Sequence, residues 1–218
     1  MKKFLKLYNM LKYFHDVIIP MRIVTKQEIV DKAKVGTVAG LVGGFALFVS
    51  FFGIDSQLST EPGTFYMMIG LSVGLHGISA IIFGFMAHML TAVTIGAVFC
   101  IVSALHPILN ITSIWKGVCA GGVTGLEVYA IFFMPITLFV ILPTINSIDA
   151  NASDTATTIH ERQIISILKS HMDIIMIGSL VLHVLFGTIM GLFSGMILHE
   201  DYKKKNWRDM ESESMPAT

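Results

Sequence analysis

The chain has 218 residues, of which 54% are apolar and 14% charged, and its mean hydropathy is +0.72. Soluble domains carry about 25% charged residues and disordered chains combine low hydrophobicity with high charge, so both classes are excluded. Fifteen Lys and Arg balance fifteen Asp and Glu, which leaves no basic surplus for nucleic acid, and two cysteines, Cys100 and Cys119, make no disulfide framework. The composition is that of an integral membrane protein whose first partner is a lipid bilayer.

Residues 1–34 are too charged to span. Phe4, Leu5, Tyr8, Leu11 and Phe14 recur at helical spacing between Lys2, Lys3, Lys6, Lys12 and Asp16, the pattern of an amphipathic helix lying in the interface. Pro20 ends it, and Thr25-Lys26-Gln27-Glu28 reads as a capping box that starts a second short helix. A spanning helix needs about 20 apolar residues. Val35–Ile54 supplies the first. Thr64–Leu109 has no formal charge over 46 residues, room for two spans with a turn near His88–Thr91. Gly117–Leu142 is a fourth, interrupted by Glu127 and Pro135, and Met172–Leu198 a fifth, containing Asp173 and His183. The linker Pro143–Ser170 is polar, with a helical apolar pattern at Ile159–Leu168. Residues 200–218 form a charged tail, expected to be disordered beyond Arg208. The expectation is an all-α polytopic bundle of five transmembrane helices over residues 35–199.

With five spans and a cytoplasmic N-terminus, ten Lys and Arg lie inside and five outside, the excess that the positive-inside rule requires of a protein in the plasma membrane. Four spans is the alternative. It puts both basic ends inside and needs Thr91–Leu109 to be re-entrant or buried without crossing.

Two stretches of the chain resemble two others. Gly36, Ala39, Gly40, Val42, Gly44, Phe51 and Phe52 recur 81 residues later as Gly117, Ala120, Gly121, Val123, Gly125, Phe132 and Phe133. Ser72, Leu75, His76, Ile82 and Gly84 recur 107 residues later as Ser179, Leu182, His183, Ile189 and Gly191. With three spans between the copies this is an inverted repeat, an arrangement common in transporters. Gly36/Gly40/Gly44, Gly117/Gly121/Gly125 and Gly187/Gly191/Gly195 are glycine zippers that let helix backbones approach, within a bundle that is a homo-oligomer or a subunit of a membrane complex.

His76, His183 and Glu127 fall near the middle of their spans. An ionisable group in the bilayer costs about 2.5–3.5 kcal/mol or more and marks a functional site by default. The trio is therefore expected to face protein and share a cavity, with Ser72 and Ser179 one turn before the histidines to fix their tautomers. This describes a path for a small neutral solute, a proton or an ion, since histidine passes protons near neutral pH. His88 and His199 lie at span ends, where histidine is interfacial.

Two other functions compete. His76 and His88 on one span, and His183 and His199 on another, resemble in outline the five-span dihaem membrane anchors of respiratory reductases. That resemblance covers those two spans alone and implies haem b with these four histidines as axial ligands. The other is an accessory subunit whose helices only pack. The fourteen methionines have no metal-binding spacing and suit flexible packing. No Walker loop, H-E-x-x-H or nucleophile elbow is present, so no motif marks an enzyme, and neither metal nor cofactor is expected outside the haem alternative.

Overall fold

A computed structural model describes residues 24–106, 108–150 and 159–214. The amphipathic segment expected before Pro20 lies outside the described residues. The described elements are all helical: α1 (Lys26–Gln57), α2 (Thr64–Leu71), α3 (Gly77–Leu105), α4 (Ile114–Val128), π1 (Tyr129–Phe133), α5 (Met134–Ile136), π2 (Thr137–Ile141), α6 (Leu142–Ala150), α7 (Ile159–Ser170) and α8 (Met172–Ser214). Four among the described residues are long and apolar enough to cross a membrane: Lys26–Gln57, Gly77–Leu105, Ile114–Ile148 and Met172–Glu200.

Thr25 caps α1 as its spacing predicts, its hydroxyl accepting the Glu28 N–H at 3.2 Å. The short helix and the first span are one continuous element. The expected turn near His88–Thr91 is absent, because α3 runs unbroken from Gly77 to Leu105. Nor is Thr91–Leu109 re-entrant, since most of it is the second half of α3. The interruption falls earlier, at Ser72–His76. There Gly74 takes φ +80°, its N–H bonds the Leu71 carbonyl and the Leu75 N–H reaches back to Gly70. This is a Schellman end, in which glycine occupies the left-handed position without steric cost. The expected fourth span holds Pro135 inside a continuous helix. Proline lacks the N–H of the helical ladder, and the wider turns π1 and π2 flank it.

The glycine-rich faces are the helix contacts. A methyl group at Gly36 would strike the Gly96 carbonyl, at Gly40 the Ala92 carbonyl, and at Gly44 the Ala92 side chain. In α4 a methyl at Gly117, Gly121 or Gly125 would strike the carbonyl of Gly191, Gly187 or His183. On α8, Gly187 and Gly191 return these contacts on the carbonyls of Gly121 and Gly117. Gly195 departs from the expected third step of that zipper. A methyl there would lie 3.0 Å from the Ile114 Cα and 3.4 Å from the Ser113 carbonyl, a looser approach against the end of α4. The reason is that the position one step before Gly117 is Ser113, the extended N-cap residue of α4, so the helical glycine face ends there.

Two antiparallel pairs result, α1 with α3 and α4 with α8. Gly43 meets Phe186 and Gly178 meets Ile54, so α1 also runs antiparallel to α8 and joins the pairs. It follows that α1 and α4 point the same way.

Below the spanning helices, α7 is an integral part of the core. Ile164, Ile165 and Leu168 are buried with Met67, Met68 and Leu71 of α2 and with Ile141, Ile145 and Ile175. The chain after His199 continues α8 as helix through Ser214, in place of the disorder expected beyond Arg208. The run from Met172 carries no helix breaker, and its tail is rich in Lys and Glu, both good helix formers.

Candidate functional site

The four spanning helices form an arc in the order α3, α1, α8, α4. The ends of the arc do not close. Between α3 and α4 lies a groove of about 580 Å³, lined on one wall by Thr94, Val98 and Val102 and on the other by Val123, Glu127 and Ile131. Phe99 and Val128 are its buried inner residues, and Leu109 of the α3–α4 connection closes one end. The groove is open on its side, and a volume of this size is typical of a ligand pocket.

Among the described residues, Glu127 is the only titratable one that lines it. It lies thirteen residues into α4, about 20 Å along the axis, within the apolar span Ile114–Ile148. Gly125 faces α8, and two residues turn a helix by about 200°, so Glu127 points away from that partner helix and is exposed on this chain. It makes no hydrogen bond or ion pair among the described residues. Thr94 and Ser103 do not serve it as donors, because their hydroxyls bond the carbonyls of Leu90 and Cys100, each at 2.8 Å.

His76, His183 and Glu127 occupy three different surroundings. His76 precedes α3 as its N-cap residue, and its Nδ1 lies 3.5 Å from Oε2 of Glu161. The same carboxylate accepts the Gly77 N–H through Oε1 at 2.9 Å. His183 lies in α8, its Nδ1 on the Ser179 carbonyl at 2.6 Å and its ring against Tyr129 and Phe133 at 5.8 and 5.1 Å. Neither serine hydroxyl orients a histidine. Ser72 donates to the Ile69 carbonyl, while the Ser179 hydroxyl is buried without a hydrogen-bond partner.

The residue that stands to Gly44 as His183 stands to Gly125 is His88, not His76. His88 is placed mid-helix, with Nε2 3.3 Å from the Gly44 carbonyl and its ring edge-on to Phe51 and Tyr66 at 6.4 and 5.5 Å. α3 and α8 each run antiparallel to α1 and so run parallel to one another, with Cys100 bonding Ser194 at 3.3 Å. The matched positions of these helices are 95 residues apart: His88 with His183, Leu90 with Leu185, Gly96 with Gly191.

This geometry does not fit a haem held by His76, His88, His183 and His199. Only His88 and His183 share a level, and aromatic rings pack beside both, Phe51 and Tyr66 against His88 and Tyr129 and Phe133 against His183. No group of three His, Cys, Asp or Glu suited to a metal ion occurs among the described residues.

Two important residues escaped the sequence reading. Glu161 is 2% exposed, and its spacing to Ile164, Ile165 and Leu168 places it on the apolar face of α7. That i, i+3, i+4, i+7 pattern was the available signal. Asp55, also 2% exposed, accepts the Gly63 N–H at 2.8 Å and ties α1 to the start of α2.

No protein family, curated protein or solved structure matches the chain.

Proposed function

We propose that this integral membrane protein binds and transports a small lipophilic solute, which enters the α3–α4 groove sideways from the bilayer. The observation that supports this reading is Glu127: a formal charge deep in a spanning helix, facing an apolar groove of ligand size. A carboxyl group in hydrocarbon is costly, and no protein partner offsets that cost among the described residues. In the interior between the helices, by contrast, the rings of Phe51, Phe65, Tyr66 and Phe133 pack on one another. The path expected through His76 and His183 is therefore replaced by a lateral one in which Glu127 alone is retained.

The test is photolabelling in nanodiscs with an uncharged diazirine-bearing alkyl alcohol, read by mass spectrometry. Labels are expected to concentrate on groove residues such as Val98, Val123 and Ile131, and Val98→Trp should remove them by filling the space. Labelling equal to that of Ile82 and Ile177, which are 56% and 66% exposed elsewhere on the bundle, overturns the reading. Disulfide-linked dimers formed by Val123→Cys in a Cys119→Ser background also overturn it, since a second copy then fills the groove.

A further inference from the structure

We infer that the groove's occupant is a lipophilic monocation and that it binds in exchange for the proton of Glu127. This rests on the groove reading above and adds the substrate class. The first argument is charge complementarity. The lining is apolar except for Thr94, Ser103, Thr124 and Glu127, and two of those three hydroxyls already donate to their own helices. The titratable groups that face the carboxyl can be enumerated. From α3 none lines the groove, from α4 only Glu127 does, and neither α1 nor α8 contributes a lining residue. His183 packs on the opposite face of α4, beside Gly125.

The second argument is electroneutrality. A carboxylate in the empty groove would meet no counter-ion among the lining residues, and a charge without one is costly in hydrocarbon, so the proposed exchange starts from the acid. A cation with an apolar body fills the apolar space and supplies the missing counter-charge. The carboxyl O–H bond breaks, its electron pair stays on the carboxylate, and the proton leaves to bulk water. One positive charge enters and one leaves, so the site is neutral before and after. A lipophilic anion would meet no counter-charge in the groove, and a neutral solute would leave the carboxylate without one.

The exchange is tested by equilibrium dialysis of tetraphenylphosphonium, a hydrophobic monocation, against the protein in nanodiscs, with empty nanodiscs as blank. Binding calorimetry in two buffers of different ionisation heat counts the protons. The expected results are one proton released per cation bound, and affinity falling about tenfold per pH unit on the acid side. Glu127→Gln should abolish cation binding while the uncharged photolabel still marks the groove, and Glu127→Asp should keep both. If the photolabel marks the groove but Glu127→Gln binds the cation as well as the parent, or no proton is released, this inference is overturned and lateral binding stands. If the photolabel never concentrates in the groove, both fall.

Discussion

At the residue scale, each glycine's role is set by what a methyl group would meet. Gly121 has the Gly187 carbonyl and the Gly191 backbone against it, whereas Gly53 has nothing within 4 Å. Without a hydrophobic drive between helices in lipid, close approach is what holds them. Gly121→Ala must push α4 off α8, and an overpacked site of this kind costs about 3 kcal/mol. Gly53→Ala meets no obstacle and gains helix propensity, up to ~1 kcal/mol. Unfolding in a mixed detergent–denaturant titration should therefore give opposite shifts for two chemically identical changes. Equal shifts would remove the distinction drawn between zipper and lipid-facing glycines. Gly40 sits against Ala92 and Gly96 as Gly121 sits against α8, so Gly40→Ala should cost about as much as Gly121→Ala.

At the element scale, the segment from α2 to the start of α3 depends on one carboxylate. Glu161 of α7 accepts the Gly77 N–H and faces His76, so it holds the first turn of α3, where helix amides lack intrahelical partners. Glu161→Ala leaves a partly buried N–H without its acceptor, a cost of about 1–3 kcal/mol. Hydrogen exchange at residues 77–80 should accelerate while residues 92–100, held by the zipper with α1, stay protected. Uniform acceleration would mean that Glu161 supports the fold at large and not this turn.

The same region shows what the sequence made legible. Length and hydropathy located the apolar helices, and four-residue glycine spacing marked the faces that meet, up to the last step at Gly195. The capping box at Thr25 and the helix at Ile159–Leu168 were also readable, because local signals coincide with tertiary packing there. The break between Thr64 and Leu109 was misplaced because hydropathy is uniform across it. The informative feature was conformational: Gly74 and Gly77 both take positive φ, and glycines in apolar stretches look alike whether they pack or turn. The displacement of that break from His88–Thr91 to Ser72–His76 moved His76 from mid-span to a helix start and brought His88 into the middle. The matching of His76 with His183 could not survive it. Glu127, expected to face protein, points away from α8, because two residues beyond Gly125 the helix has turned by about 200°.

At the scale of the whole molecule, taking the four long apolar helices among the described residues as the crossings changes the charge balance. The start of α1, the α3–α4 connection and the end of α8 fall on one side, and the α1–α3 connection and α7 on the other. Among the described residues, eight of the ten Lys and Arg are on that first side and only Arg162 and Lys169 on the other. This asymmetry is steeper than ten against five, and the positive-inside rule assigns the basic side to the cytoplasm. The contact between His76 and Glu161 supports the same count independently, since it requires the segments before α3 and after α6 to share a side, with two crossings between them. The start of α1 and the end of α8 should therefore lie in the cytoplasm and α7 outside. Single cysteines placed at Asn110 and Asn151, in a background with Cys100 and Cys119 replaced by serine, separate the two arrangements. Asn151→Cys should react with a membrane-impermeant maleimide in intact cells, and Asn110→Cys only after the membrane is opened. The reverse pattern would invert the whole bundle, whereas reaction of both in intact cells would break the rule of two crossings between them.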